Sequence, residues 1–459
     1  MRLISRLGLG FAAVVLSVVT GAAVWLTVAP PDLWRIADGY AAKTVCSNAF
    51  VAGRDPQAVL GEDVQAPGNP ALRLIRLSID RDEGLVGARM LGLFAPNYAV
   101  YRGPLGCVAV PDGNVRVATR LSMPRVPVTF GRDANWPDGD KVSVDANGAV
   151  SQIIRDPALA GPGMRAIVVI RDGQLVAETY GDGFDADMPL LGWSMTKTVN
   201  AAIIGRLMQA RRMSFDDADL LPEWHGDGRA KIRLSDLLAM ESGLAFNEAY
   251  GAVTDVTRML YLQPDMAAMA AGWPQAFPPG QHYAYSTGTA LLLSRIWMNR
   301  FADQNAALAY PRDALFAPLG MSSAILEADE HGTFVGGSYL YATGRDWARF
   351  GEFLLRDGVW HGERLLPEGF VGAMRTPTKA SGGSFTQVQA WLSGPGGSSR
   401  QFGLPEDTFW MLGHDGQSVA IVPSANLVVV RLGLTPGHLK YRPQILVKKI
   451  VDAMTPLKT

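Results

Sequence analysis

Two segments far apart in the chain carry the same strand-turn-strand signature, and together they restrict the fold more than any other feature. Residues 166–170 (Ala-Ile-Val-Val-Ile) form an apolar run that meets Asp172-Gly173, a strong hairpin turn, before a returning strand at 175–180. Near the other end, residues 419–422 lead through Pro423-Ser424-Ala425-Asn426 into a second apolar run at 427–432. Between these hairpins the pattern is helical. Apolar residues recur at helical spacing over 196–208, 234–240, 287–298 and 345–354, and 311–316 reads as a shorter helix with Pro311 in its first turn. A sheet built from N- and C-terminal hairpins, with a helical region inserted between them, is an α+β arrangement rather than a βαβ series.

The first thirty residues are of another kind. Arg2 and Arg6 precede residues 7–28, a stretch of 22 without a charge, long enough to cross a bilayer core as a helix. The flanking arginines favour the cytoplasmic side, so the rest of the chain is expected to face outward. The segment is longer than the usual apolar core of a signal peptide and leaves through Leu26-Thr27-Val28-Ala29 and two prolines, which reads as a retained inner-membrane anchor with the remainder in the periplasm. A cleaved signal releasing a periplasmic or secreted protein is the alternative. Forty-two Lys plus Arg nearly balance 43 Asp plus Glu, so no positive field is available to gather nucleic acid.

The expected organisation is a membrane segment at 1–30, an accessory region at 31–160 and a main domain at 161–459. In the accessory region, 33–45 reads as a short amphipathic helix, 71–78 and 107–111 as strands, and 135–139 as a turn. Cys46 and Cys107 are the only cysteines; an exported chain permits a disulfide between them, and two buried thiols are the alternative. Neither sits in a basic or His-rich setting that would make it a nucleophile. Two cysteines and six scattered histidines give no metal-ligand spacing, and neither metal nor organic cofactor is expected.

Three short stretches carry the chemistry. Gly192-Trp193-Ser194-Met195-Thr196-Lys197 stands where a helix begins, so Ser194 and Lys197, three apart, share one face about a turn from each other. An amine beside a hydroxyl accepts its proton once the surroundings lower the amine pKa, and a helix N-terminus favours the negative charge that develops on oxygen. The second stretch, Pro279 through Tyr285-Ser286-Thr287-Gly288, places Tyr285 ahead of an apolar helix, where a phenol can relay a proton as base and then acid. The third, Gly413-His414-Asp415-Gly416-Gln417, leads into the second hairpin, and its glycines allow a substrate to approach the backbone. Taken singly, Tyr285 also fits a core or capping tyrosine, and His414-Asp415-Gly416 a plain turn. Residues 376–405 contain two Gly/Ser-rich clusters and read as a flexible surface loop near the site, with the alternation of Val388, Ala390 and Leu392 suggesting a half-exposed strand between them.

In this order the three stretches resemble the serine beta-lactamase, penicillin-binding protein and related-esterase superfamily, whose sequence is Ser-x-x-Lys, Tyr-x-Asn, then Lys-Thr-Gly or a variant. The likeness spans residues 164–432. The segments at 169–173, 192–197 and 232–244 look nearest to a class C-like branch that includes 6-aminohexanoate-dimer hydrolases and carboxylesterases. The resemblance implies Ser194 as the acylated nucleophile, Lys197 as its proton acceptor, Tyr285 as the proton shuttle, and an oxyanion hole from the backbone N–H groups of Ser194 and Gln417. It implies Tyr250, after the Ser242-Gly243 segment, as a donor to an amide leaving nitrogen, and Thr287, His414, Asp415 and Gly416 at the substrate.

Two departures bear on substrate. Thr287 stands where penicillin-recognising members have Asn, and His414-Asp415 where they have Lys-Thr, so the fixed cation for a beta-lactam carboxylate is missing or becomes a mostly neutral imidazole. The remaining apparatus suits a serine hydrolase of a small ester or linear amide. The alternatives are a peptidoglycan-peptide carboxypeptidase or weak beta-lactamase, and a non-enzymatic envelope binding protein on the same fold.

Overall fold

The computed structural model describes residues 2–123 and 133–454, with side chains from residue 11 onward. Its centre is a five-stranded antiparallel sheet in the order Phe409–Gly413, Gln417–Val422, Leu427–Gly433, Met164–Arg171, Gln174–Tyr180. The two expected hairpins are therefore joined edge to edge, Val430 opposite Val168 and Val429 opposite Val169. The first hairpin turns as its sequence demands: Asp172 and Gly173 have φ of 49° and 77°, the left-handed pair that matches strand twist.

These strands lack polar alternation because both faces of the sheet are covered. Ala166, Val168, Ile170, Val419, Val428 and Val430 face the main core with the inserted helices. Ile167, Val169, Ala420, Val422 and Val429 face a second core that includes Ile154 and Ala160 and, from the C-terminal helix Pro443–Met454, Leu446 and Ile450. The helix Gly344–Leu355 lies so close to the sheet that a Cβ on Gly351 would stand 2.6 Å from Val428. The result is a mixed α+β fold, as the hairpins and the helical run between them predict.

The N-terminal region builds a sheet of its own, an antiparallel meander of Ile75–Asp80, Leu85–Met90, Phe94–Tyr101 and Cys107–Val110. Helix Asp32–Phe50 crosses it, burying Ala41, Ala42, Val45 and Cys46 against Val86, Ala88, Ala99 and Cys107. At Gly39 the helix also touches helix Asp255–Leu262 of the main domain; a Cβ there would lie 2.7 Å from the Asn97 amide and 3.0 Å from Tyr261. A buried ion pair fastens the two regions. The Lys43 ammonium meets Glu327, whose other oxygen accepts from Ser47 Oγ at 2.9 Å and from the Cys107 N–H at 2.7 Å, with Glu327 fully buried. Ahead of all this, helix Arg2–Val28 contains one span, Phe11–Val28, long and apolar enough to cross a membrane, and none of it is buried by the rest of the chain.

The structure corrects three local expectations. Residues 71–78 are not one strand: the Asn69 carboxamide accepts from the Ala71 N–H and Pro70 opens a 3-10 turn, so the strand begins only at Ile75. Pro311 does not start a helix. Asp303 caps a helix at Gln304–Pro311, and beyond the proline, which has no N–H to give, the chain continues as a π-helical turn, Arg312–Phe316. The segment 388–392 is neither half-exposed nor a regular strand. Val388, Gln389 and Ala390 are all buried, because Gln389 serves the end of helix Leu234–Leu238: its backbone N–H and side-chain amide both donate to the Leu238 carbonyl, at 3.2 and 2.7 Å, and the amide also reaches the Leu237 carbonyl. The loop that holds it is packed into the body of the protein, and its second Gly/Ser cluster folds as a hairpin, Ser393–Gly394 against Gly397–Ser398.

Cys46 and Cys107 are joined in a disulfide that ties helix Asp32–Phe50 to the last strand of the N-terminal sheet. Closing a loop over a sequence separation of 61 is worth roughly 4 kcal/mol in the chain-entropy picture. Reduction is therefore expected to lower the thermal midpoint by several degrees, as read by scanning calorimetry with and without reductant; an unchanged midpoint would show that packing alone holds this region.

Candidate active site

The short strand Leu190–Leu191 pairs with Leu340–Ala342, and Gly192 follows with its N–H on the Leu340 carbonyl at 3.0 Å. Only glycine fits there, since a Cβ would stand 2.2 Å from the Trp347 indole. The next residue, Trp193, takes a φ of 49°, a left-handed conformation that costs an L-residue with a bulky side chain roughly 1–2 kcal/mol. That bend turns the chain into a 3-10 turn, Trp193–Met195, and then into helix Thr196–Gln209, leaving Ser194 at the helix entrance.

Lys197, three residues on, sends its amine back along the helix to within 3.0 Å of Ser194 Oγ. The amine is enclosed: Thr287 Oγ1 lies at 3.0 Å, the Gly337 carbonyl at 2.8 Å, and the face of Tyr285 at 4.7 Å. With 2% of the residue exposed, burial disfavours the ammonium and lowers its pKa to about 8, opposed by the carboxylate of Glu248. An amine so placed is partly neutral near physiological pH and already within hydrogen-bond reach of a serine hydroxyl.

Glu248 escaped the reading of the sequence, although it stands two residues from Tyr250. Its carboxylate caps helix Thr287–Met298, accepting from the Thr287 N–H at 2.8 Å and from Thr287 Oγ1 at 2.5 Å. A threonine hydroxyl has one proton. Spent on Glu248, it leaves the Thr287 oxygen facing Lys197 as an acceptor, so a Lys-Thr-Glu chain occupies the place of a carboxamide. The Gly337 carbonyl was equally invisible in sequence, because the turn carrying it lies far along the chain; a Cβ on Gly337 would stand 2.8 Å from Thr287 Cγ2.

Tyr285 is half-buried between Phe385 and Trp391, centroids at 5.9 and 5.1 Å, both from the loop expected to be flexible. Its hydroxyl reaches Ser194, and burial pushes the phenol well above its ordinary range, so it holds its proton at neutral pH. Tyr250 is 40% exposed as a residue but turns its hydroxyl inward toward Thr287 and Glu248, where desolvation of the phenol and the Glu248 charge raise its pKa. The Tyr250 ring lies tilted against His414, centroids 5.4 Å apart, and His414 also meets Trp193 edge-on at 5.7 Å.

The third stretch forms a tight turn at the sheet edge, His414–Gly416, with Asp415 at φ 55° and Gly416 at 84°. A Cβ on Gly413 would lie 2.2 Å from the Gly192 carbonyl, so the edge strand is pressed against the turn that carries the serine. The Gln417 side chain is fully used, donating to the carbonyls of His414, Asp415 and Gly433 and accepting the Gly433 N–H at 2.8 Å. His414 stays half exposed, whereas Asp415 turns into a polar niche shared with Asp63 and Arg165, where burial raises its pKa. Among the described residues no group of three or more His, Cys, Asp or Glu is placed to hold a metal ion.

A family model described as Beta-lactamase matches residues 155–442. Among solved structures, the chain is similar to a presumed 6-aminohexanoate-dimer hydrolase from Bacillus anthracis, at 21% identity and a TM-score of 0.57, covering 72% of this chain and 90% of that one. It is similar to a penicillin-binding protein homologue from Caulobacter crescentus (16% identity, TM-score 0.53, 68% and 99% covered). The hydrolase EstCE1, with promiscuous acyltransferase activity, is another (14% identity, TM-score 0.51, 67% and 97% covered). At these identities the likeness is one of fold. No curated protein matches the chain significantly in sequence.

The Lys197 environment sets a pH test. Below a pKa of about 8 the ammonium has no lone pair for the serine proton, so labelling of Ser194 by a fluorophosphonate should slow as pH falls through that value. Glu248 favours the ammonium, so Glu248→Gln should move this acid limb to lower pH. A limb that stays in place would assign the pH dependence to another group.

Proposed function

The chain belongs to the beta-lactamase family, matched over residues 155–442, and on that premise we propose that it is an exported serine hydrolase cleaving an ester or small linear amide. The observation that carries this reading is the 3.0 Å contact of the buried Lys197 amine with Ser194 Oγ. The neutral amine takes the serine proton as Oγ attacks the substrate carbonyl. The oxyanion is held by the backbone N–H groups of Ser194 and Gln417. As the carbon–oxygen or carbon–nitrogen bond breaks, the proton passes through the protonated Tyr285 to the leaving group, with Tyr250 a second donor for an amide nitrogen. Water then attacks the acyl-serine, giving up a proton along the same groups, and releases the acid with Ser194 restored.

The chemistry of the substrate side favours neutral esters and amides over beta-lactams. Thr287 is engaged with Lys197 and Glu248, and the third stretch presents a half-exposed imidazole where a fixed cation would hold a carboxylate. Peptidoglycan peptides and penicillins both bring such a carboxylate. Anchoring by Phe11–Val28, with the remainder outside the cytosol, is supported by the length and exposure of that span and by the Cys46–Cys107 disulfide, a bond suited to an oxidising compartment.

The test is the intact mass of the full-length protein in detergent after exposure to a fluorophosphonate, with peptide mapping. One adduct on Ser194, absent in Ser194→Ala, is expected, and Lys197→Met should slow p-nitrophenyl acetate hydrolysis by about 10²–10⁴. Folded protein that takes up no adduct would sink the hydrolase reading in favour of a binding role.

A further inference from the structure

A cleft of about 300 Å³ opens beside Trp193, Tyr250 and His414, and its far wall belongs to the N-terminal region, chiefly Trp34, Ile36 and Ala37 of helix Asp32–Phe50. The turn at Ala71 and Leu72 and the side chain of Met90 complete that wall. Among the described residues no Asp, Glu, Lys or Arg lines the cleft, and its polar side chains include Tyr40, Asn69, Tyr250, Thr257 and His414, so a charged substrate group would be desolvated there without a fixed counter-charge. The cleft therefore selects against zwitterionic oligomers as well as penicillin-like acids, and for an uncharged apolar group.

Its mouth has a second property. Only Ala29, Pro30 and Pro31 separate helix Arg2–Val28 from helix Asp32–Phe50, and Leu33, in the first turn of the latter, both lines the cleft and is 50% exposed. Leu91 and Leu93, in the turn that follows Met90, are 49% and 68% exposed, and the next strand, Phe94–Tyr101, packs beside the N-terminal helix. One exposed leucine, Leu33, thus lies on the cleft just beyond the segment apolar enough to span a bilayer, and two more, Leu91 and Leu93, directly follow the cleft residue Met90.

We propose that this cleft takes the extended hydrocarbon chain of a membrane amphiphile, delivered from the bilayer past these leucines, with its ester or amide carbonyl placed at Ser194. The inference rests on the hydrolase reading and names its substrate class. The N-terminal region is then a specificity wall, held in place by the Lys43–Glu327 pair and the Cys46–Cys107 bond.

The test compares p-nitrophenyl octanoate with the acetate, and octyl acetate with ethyl acetate, using full-length protein in detergent. Ala71→Trp fills the cleft from an exposed turn, and Ala37→Trp fills it from the helix wall; thermal midpoints verify folding. Each buried methylene multiplies kcat/KM severalfold, so the ratio of kcat/KM for the long over the short substrate should fall at least about tenfold in both variants. Partition of the longer esters into detergent cancels when that ratio is compared with wild type. A fall in the first series seats the chain on the acyl side, and in the second on the leaving-group side. An unchanged ratio in both series, from variants that still hydrolyse acetate, overturns the inference and leaves the hydrolase standing. No acetate turnover and no Ser194 adduct in the wild type would instead remove the hydrolase reading itself. For delivery, the double variant Leu91→Asp and Leu93→Asp should lose turnover of p-nitrophenyl laurate held in phosphatidylethanolamine–phosphatidylglycerol vesicles, relative to soluble acetate; equal loss on both overturns entry from the bilayer.

Discussion

A lysine side chain almost wholly withdrawn from water, Lys197, is the constraint around which this protein is arranged. Burying an amine disfavours its charged form, and the cost is bearable only where each N–H finds an acceptor. The fold supplies those acceptors from three places: Ser194 on the same helix, Thr287 at the start of another, and Gly337 in a distant turn. Glu248 completes the set by fixing which way the threonine hydroxyl points. The amine is left less basic than a surface lysine and within hydrogen-bond reach of the Ser194 oxygen, the two properties that the proposed activation of that serine requires.

The same constraint extends outward. The Gly337 turn is not free to settle on its own, because its flanks are tied to Glu327, whose N–H donates to the Tyr339 carbonyl and whose carbonyl accepts from Val335. Glu327 in turn is held by Lys43, Ser47 and the Cys107 N–H from the N-terminal region. A buried charge pair of this kind adds little net stability when intact, yet is expensive to break from one side. Its main consequence here is positional: the region that walls the cleft and the turn that contacts the Lys197 amine share one carboxylate.

Much of this was readable in the sequence, and the failures have common causes. The hairpins were legible because Asp172-Gly173 and Pro423 through Asn426 are local turn chemistry, and Ser194 with Lys197 because three-residue spacing on a helix is local geometry. Tyr285 was legible through order along the chain. Glu248 was not, because a carboxylate that caps a helix from 39 residues away leaves no periodic trace. Gln389 differs for a related reason: its polar side chain and the local alternation suggest exposure, whereas the carbonyl it satisfies, that of Leu238, belongs to a helix about 150 residues earlier. Pro311 misled because a proline can end a helix as readily as begin one, and the decisive cap, Asp303, lay outside the segment read. The cleft was out of reach altogether, since its walls come from residues 33–90 and from 193 onward.

Trp193 joins two roles in a single pair of backbone angles. Its left-handed conformation delivers Ser194 to the helix entrance, and its indole forms a wall of the cleft and the partner of His414. In most enzymes the loops that choose a substrate can drift while the reacting group stays put. Here the residue that lines the cleft is covalently the neighbour of Ser194, so on the proposed hydrolase reading a change at this position would also perturb attack geometry. On that reading a change of substrate is easier at the opposite wall, Trp34, Ile36 and Ala37, whose residues lie far from Ser194 in the chain.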